Sequence, residues 1–285
     1  MIAVTGASGQ LGRLVLDQLL QATNPQNIVA LARKPESLAT YADQGVQVRY
    51  ADYDTPSSLS TALSGVEKLL LISGSEVGKR AVQHQAVIDA AAQAGVALVA
   101  YTSILHADRS SLMLAEEHRA TEAALQSSGL AYVLLRNGWY SENYTGTAAM
   151  TVEQGALYGC AGEGRISTAP RSDFAAAAVA VLTSAESPAG KIYELAGDGA
   201  FSLSEYAAEL ARQSGKAITY NNMSQEDYQA LLIQVGLPEG LAVMLANSEA
   251  GASQGDLFDE SGDLSRLIGR PTISIQQSVT TALSA

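Results

Sequence analysis

The sequence has little of several features that mark particular protein classes. It contains one cysteine, Cys160, so no internal disulfide can form and nothing demands an oxidising compartment. Its longest wholly apolar stretch lies near 174–182 and is too short to span a bilayer, so no membrane partner is expected. Lysine and arginine total 17 against 29 acidic residues, and the net charge of −12 argues against a nucleic-acid partner. Met1 leads directly into an apolar run, which predicts a cytoplasmic protein without a signal peptide.

Two catalytic signatures are also missing. No tyrosine is followed four positions later by lysine, the pair that supplies a proton in ordinary short-chain dehydrogenases. His84, His106 and His118 stand alone, without an H-E-x-x-H motif or a cysteine partner, so no metal site is predicted. Each histidine is expected on a helix surface or at a helix cap. The sequence therefore names no catalytic side chain.

A glycine-rich turn follows the apolar run at 1–5. Gly6 lets the chain turn off a strand, Gly9 leaves room for a phosphate, and Gly12 lets the next helix lie close to the sheet. The spacing is G-x-x-G-x-x-G, and ordinary dehydrogenases have G-x-G-x-x-G, so a glycine turn of another α/β protein stays an alternative. The order of strand, loop and amphipathic helix favours a dinucleotide site, with the pyrophosphate at the helix N-terminus.

The end of the second predicted strand distinguishes the two nicotinamide cofactors. Enzymes that prefer NAD usually place an acidic residue there to bind the ribose 2′-hydroxyl. This chain has Arg33 and Lys34 instead, and a guanidinium forms paired, charge-assisted hydrogen bonds with a phosphate. NADP is therefore favoured, although Arg33 as an ordinary solvated turn residue is the competing interpretation.

Apolar strand-like runs alternate with helical segments through the first half of the chain, as in a parallel sheet covered on both faces. The predicted strands are 1–5, 28–32, 46–50, 68–72, 98–102, 132–136 and a returning strand at 191–196. This pattern predicts an α/β, Rossmann-like, doubly wound parallel sheet with a small, mainly helical C-terminal domain. The NADP-binding domain is expected at 1–137, with returning elements around 166–196, and the smaller substrate-pocket domain at 138–165 and 197–285.

Ligands of such sheets bind at the C-terminal strand ends, where four loops carry candidate residues. Asp52 could accept from an adenine amino group or serve as a turn acid. The segment Ser73–Ser75 offers small residues and free N–H groups to a ribose or nicotinamide, or is a plain turn. The aromatic segment 137–144 suits a pocket wall, unless Trp139 packs in the core. Arg165, in a glycine loop, could reach a pyrophosphate or remain solvated.

These segments resemble a known family. The opening 4–12 is similar to that of the NmrA-like atypical short-chain dehydrogenases, and further stretches resemble the bacterial zinc-free NADPH:quinone oxidoreductases within that group, namely 69–73, 101–103, 134–144 and 191–197. The resemblance covers essentially the whole chain and is most specific in Asn137–Tyr144. It implies that NADPH is held by Gly6, Ala7, Ser8, Gly9, Gln10, Leu11, Arg33, Ser73, Gly74, Ser75, Asn137, Gly138, Trp139, Tyr140, Ser141, Glu142 and Arg165.

The resemblance implies hydride transfer from NADPH to a small-molecule quinone. A quinone is already a strong hydride acceptor and its oxygen can be protonated by water, which is consistent with the missing Tyr-x-x-x-Lys pair. Two alternatives stay open, a non-enzymatic redox sensor that binds the dinucleotide and a reductase of another phenolic acceptor. The natural quinone and the oligomeric state are not specified by the sequence.

Overall fold

The main feature of the fold is a parallel sheet with the strand order of a dinucleotide-binding domain. The computed structural model describes residues 1–284, and within them seven strands form this sheet in the order β3-β2-β1-β4-β5-β6-β8, while β7 and β9 form a separate pair. The strands are β1 (Ile2–Val4), β2 (Ile28–Ala32), β3 (Gln47–Tyr50), β4 (Lys68–Leu71), β5 (Leu98–Ile104), β6 (Tyr132–Asn137), β7 (Ala156–Gly159), β8 (Ile192–Leu195) and β9 (Thr219–Asn222). The order reverses between β1 and β4, the position where such sheets bind ligands.

Helices connect these strands. They are α1 (Gln10–Ala22), α2 (Ala39–Ala42), α3 (Pro56–Ala62), α4 (Arg80–Ala94), α5 (Met113–Ser127), α6 (Glu142–Thr145), α7 (Ala148–Gln154), α8 (Arg171–Thr183), α9 (Leu203–Ser214), α10 (Gln225–Gln234), α11 (Glu239–Ser253), α12 (Asp263–Ile268) and α13 (Ile275–Ser284). Gly95 ends α4 in the left-handed conformation, with φ of +71°. No helix among residues 1–284 has the length and apolar character needed to cross a membrane.

The central strands are buried on both faces, which explains why their sequences are continuous apolar runs. Every residue of β2 and β5 is buried. On one face, α3 and α4 pack over a core that includes Val29, Leu69 and Tyr101. Helices α1 and α8 pack against each other, and Gln18 of α1 donates to the Ser172 carbonyl at 3.0 Å. The predicted Rossmann-like α/β fold is confirmed.

The chain divides into two compact units. The first comprises Met1–Ile104, Glu117–Asn137 and Arg171–Tyr193, and it holds β1 to β6 with α1 to α4 and α8. The second comprises Leu105–Glu116, Gly138–Pro170 and the described residues from Glu194 onward. The observed division differs from the predicted one at 105–116, 166–170 and 194–196, which all lie in the second unit. Of these segments, 105–116 follows β5, 166–170 precedes α8 and 194–196 includes the end of β8. Hydrophobic periodicity carries no information about the unit to which such a segment belongs.

The second unit contains two strands that the sequence analysis missed. Strands β7 and β9 both lie in the domain that was predicted to be mainly helical. They pair in parallel, with Ala156 opposite Thr219 and Gly159 opposite Asn222. Each has only four residues, and β9 reads Thr-Tyr-Asn-Asn, so neither produces the apolar run or alternation that predicts a strand.

Candidate cofactor site

The glycine turn connects β1 to α1 and leaves the start of the helix open to an anion. Gly6 has φ of +57°, so a left-handed residue turns the chain off the strand. The first intrahelical hydrogen bond runs from Arg13 N–H to the Gly9 carbonyl at 3.0 Å, so the preceding N–H groups of α1 point out of its N-terminus. Among the described residues no side chain caps this terminus, and its first turn contains no acidic residue. This arrangement fits a pyrophosphate.

Gly12 and Gly9 differ in what a side chain would meet. A Cβ on Gly12 would lie 2.3 Å from the Gly6 carbonyl oxygen and 2.7 Å from the Ala7 Cα. Gly12 was expected to let the helix pack on the sheet, but in the structure it lets the helix pack on the glycine turn itself. A Cβ on Gly9 would meet only the Gly6 oxygen, at 3.2 Å. A side chain on Gly9 would therefore require the turn to shift by only a few tenths of an ångström, much less than one on Gly12.

Two arginines lie near the end of β2. Arg33 was predicted from the sequence, and Arg13 was not. Arg33 is two-thirds exposed and forms an ion pair with Glu76 at 3.1 Å. Arg13 was missed because it lies inside a helix. Its Nε donates to the Ser8 carbonyl at 3.1 Å and its Nη2 donates to the Ser37 carbonyl at 2.8 Å. Arg13 therefore ties the glycine turn to the segment that follows β2.

The segment after β4 differs from its prediction in one respect. Free N–H groups were expected at Ser73–Ser75, yet Ser73 N–H donates to Thr102 Oγ1 at 2.9 Å. Gly74 N–H donates to His84 Nε2 at 3.0 Å. The prediction of free N–H groups is therefore wrong for Ser73 and Gly74, because buried side chains accept from both. Asp52, the candidate adenine acceptor, accepts from Asp54 N–H at 3.1 Å and so serves a turn.

All three histidines are buried, and their prediction as surface or capping residues is wrong. His84 is fully buried, and burial together with Arg80 lowers its pKa to about 3. His118 Nδ1 pairs with the Tyr101 hydroxyl at 2.7 Å, and burial lowers its pKa well below the usual value. His106 has φ of +51°, and its hydrogen bond with Glu194 raises its pKa. Isolated histidines carry no periodic signal, so the sequence did not distinguish core positions from surface positions.

The aromatic segment that follows β6 contains both half-buried and buried residues. Asn137 ends β6 in the first unit, while the residues from Gly138 onward belong to the second. Gly138 N–H donates to the Leu195 carbonyl at 2.7 Å, and a Cβ on Gly138 would lie 2.9 Å from that oxygen. Trp139, Tyr140 and Glu142 are half-buried.

Two residues of the aromatic segment hold the second unit together. Ser141 is fully buried and its hydroxyl donates to Thr168 Oγ1 at 3.0 Å. Tyr144 is also buried, and its ring contacts the rings of Phe201 and Tyr206, each at a centroid distance of 5.8 Å. The interpretation of Tyr144 as a pocket wall is therefore wrong, because its ring belongs to an aromatic core.

Arg165 lies in a glycine loop that is packed and carries partners. A Cβ on Gly164 would lie 2.4 Å from the Ala252 carbonyl oxygen, so this loop packs closely against the backbone of α11. Arg165 forms an ion pair with Glu205 at 2.5 Å and donates to the Ala200 carbonyl. Glu205 also completes a capping box with Ser202 at the start of α9. The guanidinium is therefore held at the N-terminus of that helix.

Glu249 is a titratable group of the second unit that the sequence analysis missed. Its Oε2 accepts from Cys160 N–H at 2.8 Å, and its Oε1 accepts from the Tyr228 hydroxyl at 3.4 Å. Burial raises the pKa of the carboxyl to about 7, although these two hydrogen bonds oppose the shift. The folded chain therefore holds a proton on Glu249 more tightly than the unfolded chain does.

The variant Glu249→Gln is expected to raise the free energy of unfolding at pH 8. Because the folded pKa lies above the ordinary value of 4.5, the wild type loses stability as the pH rises from there to about 7. The full pKa shift corresponds to a free energy of about 3 kcal/mol. Partial access of the carboxyl to water reduces the expected gain in the free energy of unfolding to about 1–2 kcal/mol. Urea unfolding between pH 4 and pH 8 measures it, with the exposed Glu239→Gln on the same helix as control. An equal gain in both variants would contradict this assignment.

Comparisons with known proteins agree with this geometry. A family described as NAD(P)H-binding matches residues 6–185. Quinone oxidoreductase 2 of Escherichia coli (strain K12) is 55% identical over 279 residues, which cover 98% of this chain and 97% of that protein. A crystal structure of the Escherichia coli NADPH-dependent quinone oxidoreductase complexed with NADPH has a TM-score of 0.97 at 54% identity and covers 99% of this chain and 100% of that one.

A second similar solved structure is that of an enzyme named for a different activity. The triphenylmethane reductase of Citrobacter sp., complexed with NADP(H), has a TM-score of 0.94 at 38% identity and covers 99% of this chain and 100% of that one. The family resemblance stated from the sequence is confirmed. The chain belongs to the NAD(P)H-binding family, together with quinone oxidoreductase 2 of Escherichia coli.

Proposed function

We propose that this protein is an NADPH-dependent quinone oxidoreductase that acts by direct two-electron transfer to a small-molecule quinone. The observation that carries the proposal is 55% identity to the Escherichia coli quinone oxidoreductase 2 over 98% of the chain. The glycine turn supports it, because the uncapped N-terminus of α1 suits a pyrophosphate. We also propose a cytoplasmic location. We propose no nucleic-acid partner, because the net charge of −12 would repel a nucleic acid.

We assign the cofactor contacts of the first unit as follows. Residues 6–11 would hold the pyrophosphate, chiefly through the N–H groups at the start of α1, since the N–H groups of Ala7 and Gly9 already donate within the chain. Arg33 would bind the 2′-phosphate, since its side chain is two-thirds exposed. Ser73–Ser75 would lie against the ribose or the nicotinamide. Asn137 of the first unit, and Gly138–Glu142 and Arg165 of the second, are assigned to the cofactor on the family resemblance alone.

When bound, NADPH supplies the hydride. The residues of the chain bind and orient the cofactor, and we assign no side chain to proton transfer. A quinone accepts a hydride readily and can take its proton from water, so binding and orientation supply what the reaction needs from the protein. Simple ketones need an enzymic proton donor and are therefore expected to be poor substrates.

The purified protein is expected to oxidise NADPH with a simple benzoquinone and to reduce one quinone per NADPH. Steady-state absorbance at the nicotinamide band measures this reaction, and a triphenylmethane dye and an aliphatic ketone are compared as alternative acceptors. Tight NADPH binding without turnover of any acceptor would favour a redox sensor. Preference for the dye would favour the activity of the Citrobacter relative, and a flavin required for turnover would contradict direct transfer.

A further inference from the structure

Buried side chains determine the conformation of the segment that follows β4. Ile72 N–H donates to Thr5 Oγ1 at 2.9 Å, and Ser73 N–H donates to Thr102 Oγ1 at the same distance. Gly74 N–H donates to His84 Nε2 at 3.0 Å. The segment 72–74 is itself half-buried, but the three side chains that accept from it are buried. Three consecutive peptide groups are therefore oriented by groups behind the segment.

Gly74 is held on both sides of its Cα. Its carbonyl accepts from Arg80 Nε at 2.8 Å, and Arg80 in turn pairs with Glu117 of α5 at 3.0 Å. A Cβ on Gly74 would lie 3.3 Å from the Gln83 side-chain oxygen, so this glycine fits closely against α4. Arg80 and His84 are one helical turn apart and face the same segment from α4.

The hydrogen-bond partners of His84 specify its tautomer. Gly74 N–H can only donate, so Nε2 must be the unprotonated nitrogen. The proton of the neutral ring is then on Nδ1, which lies 2.9 Å from Thr121 Oγ1. The Thr121 hydroxyl donates onward to the Glu117 carbonyl at 2.9 Å. His84 and Thr121 thus each donate one hydrogen bond and accept another in this series, and burial keeps the imidazole neutral.

We propose that His84 is a positioning residue for NADPH, and that it acts through Gly74 by fixing the backbone of Ser73–Ser75. This inference rests on the proposed function, since it requires that Ser73–Ser75 contact the cofactor. Without an acceptor at Nε2, the Gly74 N–H would lose its hydrogen bond within a half-buried segment, and glycine is the residue whose peptide reorients most easily. The segment 73–75 would then adopt other conformations as well. NADPH would bind only the original conformation, so its apparent affinity would fall.

The test compares NADPH affinity in His84→Leu, His84→Gln and His118→Leu by titration calorimetry. His84→Leu is expected to raise the Kd by about 5- to 10-fold, the usual effect of one neutral hydrogen bond. His84→Gln can present a side-chain oxygen to Gly74 N–H and is expected to recover most of the affinity. His118→Leu is the matched control. It removes a buried imidazole and its hydrogen bond with Tyr101, and His118 does not contact the segment 72–74. Equal shifts in both leucine variants, or none in His84→Leu, would overturn the proposal.

A second variant covers the case in which His84→Leu does not fold. Thr121→Val is isosteric and removes the acceptor of the Nδ1 proton, so it is expected to raise the Kd by about 3-fold; an unchanged Kd would overturn the proposal. Nitrogen-15 NMR of the wild type is expected to show His84 protonated on Nδ1, and protonation on Nε2 would also overturn it. A wild type that does not bind NADPH contradicts the proposed function itself. A different result contradicts this inference alone. In that case the wild type binds NADPH, Gly9→Val does not bind it, and His84→Leu binds it with the wild-type Kd.

Discussion

Gly12→Ala is expected to abolish NADPH binding and to lower the free energy of unfolding by about 3 kcal/mol. The added Cβ would lie 2.3 Å from the Gly6 carbonyl oxygen and 2.7 Å from the Ala7 Cα, and both atoms belong to the backbone. A backbone clash cannot be relieved by a rotamer change, so the glycine turn or the first turn of α1 must move. Either movement displaces the N–H groups that would contact the pyrophosphate. Urea unfolding and calorimetric titration with NADPH measure the two effects.

Two other glycines provide the controls for Gly12→Ala. Gly240 lies inside α11 with no atom within 4 Å of its added Cβ, so Gly240→Ala is expected to stabilise the chain by up to about 1 kcal/mol. Gly9→Val tests the outer side of the turn. Its Cβ meets only the Gly6 oxygen, at 3.2 Å, so we expect binding to be lost with little loss of stability. Wild-type NADPH affinity in Gly9→Val would contradict the assignment of the turn to the cofactor.

The sequence predicted the sheet well because its strands are buried on both faces. The continuous apolar run at 28–32 matches β2 at both ends, and the returning run at 191–196 contains β8. The strands β7 and β9 were missed because they form a two-stranded sheet of partly exposed residues, whose pairing depends on tertiary contacts. Hydrophobic periodicity reports burial, so it finds strands only where burial is the main requirement.

The candidate site was predictable in its backbone features and less so in its buried polar groups. Gly6 has the left-handed conformation that a turn off the strand requires, and Gly12 is closely packed, although against the glycine turn and not against the sheet. The pairing of His84 with Gly74 was not predictable, since it joins a helix to a loop through a single polar contact. The prediction of free N–H groups at Ser73 and Gly74 failed for the same reason. A sequence shows which loop carries small residues, but only the fold shows which side chains lie behind it.

Arg33→Ala is expected to weaken NADPH binding by about 10- to 100-fold and to leave NADH binding nearly unchanged. The two cofactors differ in the 2′-phosphate, and a guanidinium at the end of β2 is the group expected to contact it. In the structure the Arg33 side chain is 66% exposed and pairs with Glu76 at 3.1 Å, so it is available to a ligand at low cost. Parallel titrations with NADPH and NADH at one ionic strength measure the difference.

Lys79→Ala is the matched control for the Arg33 prediction. Lys79 carries the same charge, is 64% exposed, and pairs with the same Glu76 carboxylate at 3.2 Å. If Arg33 acts only through the net charge of this surface, both variants should lose NADPH affinity equally, and both losses should shrink with added salt. If Arg33 binds the 2′-phosphate directly, Arg33→Ala alone should lose discrimination between the cofactors, while Lys79→Ala keeps the wild-type ratio. Equal losses for NADPH and NADH in Arg33→Ala would contradict the assignment, because NADH has no phosphate at that position to lose.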